Sequence, residues 1–249
     1  MGRIVAIGGG ENGRPGTPYE TEPFDREIVS LTEKSNPNFL FIGLASGDSD
    51  SYYEVMRGIY GNRFHCRTDR LTEEDLSQFA KTAVKIKTAD IIYVGGGNTL
   101  RLMSLLRKFK TDALLRDAYR GRTVLCGISA GAICWCSYGN SDSRKFASGC
   151  ELFLRVTGLG LIPLLLCPHY DVEPARQEDL KRMMKSTHNI PAIAMDNGTA
   201  LEIVDGRYRI LQSLENAEAR KCCWKNGGYR IEPLPIEDRY EETALLFTK

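Results

Sequence analysis

The sequence predicts an α/β fold: a doubly wound, mostly parallel sheet with helices on both faces and a C-terminal antiparallel β extension. Three observations carry that prediction. Strand-length segments recur at residues 3–8, 38–43, 63–66, 90–94, 123–127 and 163–167. Most are near-continuous runs of Val, Ile and Leu, as parallel strands buried on both faces read. Helical patterns at residues 23–33, 51–60, 72–84, 99–109 and 111–119 lie between them. Beyond about residue 190 the segments shorten to 192–195, 200–204 and 208–212, with hairpin signals at Asp205-Gly206 and Asn226-Gly227.

Each element has a local cause. The first strand runs into Gly8-Gly9-Gly10, which ends it in a loop. Thr72 caps the third helix, and Glu73, Glu74 and Asp75 place acids in its first turn. Residues 91–94 lead into Gly95-Gly96-Gly97, which turns the chain into the helix at Thr99. Residues 123–127 lead into Gly127-Ile128-Ser129-Ala130-Gly131, followed by a small-then-apolar run at 130–135 suited to a buried helix. A further helix is read at 175–185. No Gly, Ser or Pro linker sets off the β-rich part from about 192, so residues 1–249 are read as one domain.

Composition narrows the function. Thirty-three Lys and Arg against 32 Asp and Glu give a net charge of +1, which argues against a nucleic-acid binder that works by neutralising phosphates. The longest apolar stretch, 159–167, is far short of the roughly 20 residues of a membrane span and includes Gly and Pro. Residues 4–7 are too short for a signal-peptide core, and Met1-Gly2 lacks the hydroxyl residue at position 6 that myristoylation wants. A cytoplasmic protein is therefore expected, with no membrane or nucleic-acid partner, as a monomer or homodimer. The eight Cys include no CxxC and no paired His spacing, so no metal site is expected and the thiols are read as reduced packing residues.

Three glycine-rich turns are candidate sites. Gly8 to Gly13 fits GxGxxG in letters, but Pro15 and Pro18 prevent a helix from opening there and the second strand ends without an acid. It reads as a loop at the carboxyl edge of the sheet. Gly95-Gly96-Gly97 aligns successive N–H groups at a helix N-terminus, a cradle for negative charge. Asn98, which closes that turn, is a candidate substrate contact. Gly127 to Gly131 matches the GxSxG nucleophile elbow in its strand–turn–helix context. Ser129 would project above the sheet, with the Ala130 N–H and a second donor from Gly96 or Gly97 facing a developing oxyanion.

A serine nucleophile needs a base, and the chain has three histidines. His65 lies in a strand pattern, and His188 lies where a helix ends, which suggests capping. His169 follows the apolar run 164–167, at a strand's carboxyl end, where open α/β sheets collect their sites. The third member should orient the imidazole. Asp196 or Asn197, after the strand 192–195, could do so; Glu202 sits inside the next strand.

In this order, Val94-Gly95-Gly96-Gly97-Asn98-Thr99, Gly127-Ile128-Ser129-Ala130-Gly131-Ala132 and Pro168-His169-Tyr170 resemble the dipeptidase E and cyanophycinase family of serine peptidases. The resemblance runs from the first strand to about Val204. It implies a class I glutamine amidotransferase-like fold and a Ser-His-acid triad with no cofactor. Carried over, Ser129 is the nucleophile, His169 the base, and Gly96 or Gly97 with Ala130 the oxyanion hole. The family's acid, usually Glu, falls on Asn197, with Asp196 just before it. Arg176 matches the arginine that reads an N-terminal aspartate's side chain, through the bidentate pairing a guanidinium makes with a carboxylate.

The resulting expectation is hydrolysis of amide bonds in small acidic, aspartyl peptides. Cyanophycinase-like cleavage of β-aspartyl-arginine links is the alternative substrate reading. A binding or sensor protein that has lost catalysis is the alternative class, favoured by Asn197. A nucleotide-dependent oxidoreductase using the first glycine loop is disfavoured by the missing acid.

Overall fold

The computed structural model describes residues 2–47, 49–150, 152–187, 190–225 and 227–248. The first five strands are β1 (Arg3–Ile7), β2 (Asn38–Ile42), β3 (Arg67–Leu71), β4 (Ile91–Val94) and β5 (Val124–Ile128). They form a parallel core in the spatial order β1-β5-β4-β2-β3. Every residue of β4 and β5 is buried, which is why these strands read as unbroken apolar runs.

The chain continues through β6 (Cys136–Ser141), β7 (Leu154–Thr157), β8 (Ile162–Cys167), β9 (Ala192–Met195), β10 (Thr199–Val204), β11 (Arg207–Gln212), β12 (Ala219–Lys225), β13 (Gly228–Pro233) and β14 (Glu241–Glu242). Strands β10, β11 and β14 extend the core antiparallel beyond β1, completing eight strands. The other six form a second sheet ordered β13-β12-β9-β8-β6-β7, in which β8 lies parallel between β6 and β9. This second sheet corrects the expectation in two places. The run 163–167 belongs to it rather than to the parallel core. The β-rich tail is divided between the sheets rather than forming one extension. An apolar run reports burial on two faces and not which sheet supplies the neighbours.

The third strand is also displaced. Residues 57–63 continue the helix Asp50–Met56 as a wider π-helical turn, and His65 closes it with φ 57°. The strand begins only at Arg67. As the sheet's edge strand it buries little beyond Leu71, so its polar sequence carries no apolar run. The helical pattern at 72–84 divides into Glu73–Leu76, closed by a Thr72–Asp75 capping box, and Phe79–Thr88.

Alternate residues of the core strands face opposite layers. Val5, Ile7, Phe39, Phe41 and Cys126 pack on Phe24 and Ile28 of the first helix and on Met56 and Tyr60. Ile4, Ala6, Ile42, Val94 and Leu125 pack on Leu102, Leu106 and Leu115 of the helices Thr99–Lys108 and Thr111–Arg120. Helices thus cover both faces. The second of these layers continues into Leu164, Leu166, Ile193 and Met195, so the two sheets share one hydrophobic core. All eight cysteines are free thiols, and all but Cys150 are buried. His188 and Asn226 lie outside the described residues.

The tightest packing is where β5 turns into its short helix, Ala130–Ile133. A methyl group on Gly131 would sit 1.9 Å from the Val94 carbonyl oxygen, and one on Gly127 2.6 Å from the same atom. Both glycines of the GxSxG turn are therefore packing requirements. Gly131→Ala is expected to cost about 3 kcal/mol and lower the melting temperature by roughly 6–12 °C, measurable by calorimetry. An unchanged melting temperature would mean the approach is looser than described.

Candidate active site

The site assembles where three strands end. Ser129 directly follows β5, His169 comes two residues after β8, and Asn197 two residues after β9. Ser129 has φ 54° and ψ −111°, a conformation that strains a residue with a side chain. Its N–H donates to the Ile7 carbonyl (3.0 Å), and its own carbonyl accepts from the Ala132 and Ile133 N–H groups. The turn is thereby fixed and the hydroxyl projects into a cleft of about 1480 Å³.

His169 Nε2 lies 2.9 Å from Ser129 Oγ, and its Nδ1 lies 2.7 Å from Asn197 Oδ1. An amide oxygen only accepts, so Nδ1 carries the proton and Nε2 offers its lone pair to the serine hydroxyl. Burial lowers the His169 pKa below its usual 6.5, the bond that His169 donates to Asn197 opposes this, and the Arg176 charge lowers it further. The imidazole is therefore held neutral, the form a general base needs. The Asn197 backbone N–H donates to Asp171 Oδ1 (2.9 Å), which fixes the loop carrying the amide.

Of the two adjacent candidates, only Asn197 faces the histidine. Asp196 turns the other way, accepting from Arg220 (2.7 Å) and from the Glu218 N–H (3.0 Å). Glu202, inside β10, is wholly buried against Arg209 and Tyr240. In the glycine turn, Gly97 has φ 132°, and a methyl there would meet the Ala45 carbonyl carbon and oxygen at 2.7 and 2.5 Å. Among the described residues, neither the Gly97 nor the Ala130 N–H has a hydrogen-bond acceptor. The Gly96 N–H instead points at the Tyr52 hydroxyl oxygen, 3.4 Å away.

The two residues expected to touch substrate are otherwise engaged. Asn98 caps the helix Thr99–Lys108, its Oδ1 accepting from the Arg101 N–H (3.0 Å). Arg176 is 2% exposed. Its guanidinium binds Glu173 (2.8 Å) and the Asn140 carbonyl (2.9 Å), and stacks on Phe153. Neither lines the cleft that holds Ser129 and His169.

Three contributors were not singled out in the sequence. Gly9 backs the histidine: a methyl there would lie 1.9 Å from Asn197 Oδ1 and 2.5 Å from His169 Nδ1. In the sequence its glycine run reads as a loop at the carboxyl edge of the sheet, with nothing to tie Gly9 to the histidine. Asp171 follows His169 by two residues and fixes the Asn197 loop. Tyr52 sits in an ordinary helix with no motif, so nothing in the sequence marks it. Further along the cleft lie Tyr19, Arg14 and Arg63. Tyr19 hydrogen-bonds the buried Asp25 carboxyl (2.9 Å), whose pKa burial pushes up to about 6.

A model of peptidase family S51 matches residues 4–211. The chain is 30% identical over 246 residues to the peptidase YgaJ of Bacillus subtilis, covering 95% of this chain and 99% of that protein. It is 31% identical over 196 residues to peptidase E of Shewanella denitrificans, covering 74% and 78%. Among solved structures, a peptidase from an acI-B1 Actinobacterium superposes with a TM-score of 0.69 at 18% identity, over 97% of each chain. This last likeness speaks to the fold.

Two predictions test the site. The depressed His169 pKa means that neutral base persists as the pH falls below 6.5 and is lost only through the lowered value. The acid limb of kcat/KM should therefore have its midpoint below 6.5, and a midpoint at or above 6.5 would contradict it. Asp196→Ala should act on stability, costing about 1–3 kcal/mol in urea denaturation by leaving the Glu218 N–H without its acceptor and taking one of the two carboxylates that Arg220 pairs with, while kcat stays within roughly threefold. A larger loss of kcat in the folded variant would put Asp196 back in the chemistry.

Proposed function

The chain belongs to peptidase family S51, and we propose that it hydrolyses amide bonds of small aspartyl peptides through Ser129, His169 and Asn197. The observation that carries this reading is the unbroken hydrogen-bond relay from Ser129 Oγ through the imidazole to the Asn197 amide. His169 takes the serine proton as Oγ attacks the substrate carbonyl. The Gly97 and Ala130 N–H groups, with no other acceptor among the described residues, hold the oxyanion. His169 then protonates the leaving amine; in deacylation it takes a proton from water as water attacks the acyl carbon, and returns it to Ser129 Oγ as the C–Oγ bond breaks.

Arg176 enters the substrate reading through Glu173. The guanidinium is buried, but Glu173 is half-buried and already supplies a carboxylate to it. Because Arg176 does not line the cleft, an aspartyl side chain would reach that cation only by displacing Glu173. A panel of Asp-X dipeptides assayed beside β-aspartyl-arginine separates the peptidase reading from the cyanophycinase-like one.

Asn197 favours a second reading, a protein of this fold with weakened catalysis. An amide orients the imidazole but stabilises the imidazolium less than a carboxylate would. The two readings diverge under mutation. For a working peptidase, Ser129→Ala should lower kcat/KM by at least about 10³-fold. Asn197→Asp should raise kcat by roughly tenfold and move the acid limb to higher pH, since a carboxylate raises the His169 pKa. Wild-type protein that turns over none of the panel and fails to react with a fluorophosphonate would establish the weakened form instead.

A further inference from the structure

We propose that the Tyr52 hydroxyl is a third hydrogen-bond donor to the reacting carbonyl oxygen, held in place by the Gly96 N–H. The inference rests on the reading of Ser129 as nucleophile. Tyr52 lines the same cleft as Gly96, Gly97, Ser129 and His169. Its oxygen accepts the Gly96 N–H at 3.4 Å. Gly96 in turn backs onto the nucleophile, since a methyl there would be 3.6 Å from Ser129 Cβ.

The glycine turn is shaped around this tyrosine. A methyl on Gly95 would lie 2.8 Å from the Tyr52 ring, so the absence of a side chain at Gly95 makes room for it. Phe41 braces the ring edge-on, with centroids 4.9 Å apart. Ser49 caps the helix that carries it, accepting the Tyr52 N–H. The ring is thus fixed by packing on one side and the backbone on the other.

The hydrogen-bond inventory then leaves one group unused. A phenol can donate once and accept twice. Tyr52 accepts from Gly96, and among the described residues no acceptor takes its proton. Burial pushes its pKa up to about 12, so it keeps that proton throughout the working range and serves as a donor rather than a base. The arrangement also explains a difference within the glycine turn. The Gly97 N–H is free to face the oxyanion, whereas the Gly96 N–H is directed to a hydroxyl that passes the polarisation on to the cleft.

In the acylation step the Ser129 Oγ–carbon bond forms and the carbonyl π pair moves onto oxygen. The serine proton passes to His169 Nε2. Tyr52 contributes a hydrogen bond to that oxygen and transfers no proton. On collapse the pair returns, the carbon–nitrogen bond breaks and His169 protonates the amine.

Tyr52→Phe removes only the hydroxyl and keeps the ring between Gly95 and Phe41. The test follows labelling by a fluorophosphonate, whose phosphoryl oxygen occupies the oxyanion position, together with kcat and KM on the best Asp-X dipeptide. Wild type, Tyr52→Phe and Ser129→Ala are compared. The expected result is a roughly 10–100-fold fall in labelling rate and kcat for Tyr52→Phe, with KM within about twofold and the melting temperature within about 2 °C of wild type. A purely structural hydroxyl would lower the melting temperature and leave the rates alone. Rates equal to or above wild type, as Gly96 N–H is freed to donate directly, would overturn the role of Tyr52 while Ser129→Ala stays dead. Labelling of Ser129→Ala would overturn the nucleophile assignment and this inference with it.

Discussion

Three successive carbonyls at the end of β1 hold the site together. Ile7 accepts the Ser129 N–H, Gly8 accepts the His169 N–H at 3.2 Å, and Gly9 accepts the Gly198 N–H at 3.0 Å. Each proposed member of the relay is thus hung, directly or through its neighbour, on one short stretch of backbone. Two of the three loops arrive from the second sheet, which makes this stretch the seam between the sheets. It can be so crowded only because Gly9 has no side chain; any Cβ there would occupy the space of the His169–Asn197 hydrogen bond.

The seam also explains how strain is sustained. Ser129 and His169 both have φ 54°, a conformation worth roughly 1–3 kcal/mol of strain for a residue with a side chain. Each is pinned by its own N–H bond to β1, and the serine is further pinned by the two helical N–H groups on its carbonyl. The surrounding core is fully buried, so these bonds compete with little water. Strain at both ends of one 2.9 Å hydrogen bond leaves the two side chains few alternative directions, which under the proposed mechanism would preset their geometry for substrate.

Much of this was legible in residue order, and the rest fails for identifiable reasons. Parallel strands such as β4 and β5 announce themselves because both faces are buried. The glycines around Ser129 mark a turn whose packing no other residue permits. By contrast, β8 reads like a central strand because burial leaves the same signature in either sheet. β3 hides because an edge strand has little to bury. Asp196 and Asn197 could not be separated by composition, since neighbours in an extended chain point to opposite sides and one residue of register exchanges them. Arg220, the partner that draws Asp196 away, lies 24 residues downstream in a strand that only the fold brings near. Tyr52 is the extreme case: its place in the site depends wholly on the helix it rides and the glycine turn it meets.

The neutral third residue fits the rest of the site better than its departure from the family pattern suggests. The imidazole lies in a buried seam, and burial above all disfavours a protonated ring; the Arg176 charge adds to this, while the bond to Asn197 and the Glu173 and Asp142 charges oppose it without outweighing it. A carboxylate at Asn197 would add to that opposition and raise the base's pKa. The amide instead fixes the ring's orientation and tautomer while adding no charge of its own. In the proposed mechanism, what it forgoes is stabilisation of the imidazolium formed as serine attacks, so more of the transition-state charge would be met on the oxyanion side. Among the described residues, the Gly97 and Ala130 N–H groups and the Tyr52 hydroxyl backed by Gly96 have no acceptor, and these are the donors proposed for that side. In the proposed mechanism, a weak member at one end of the relay and a well-supplied hole at the other are two parts of one electrostatic balance.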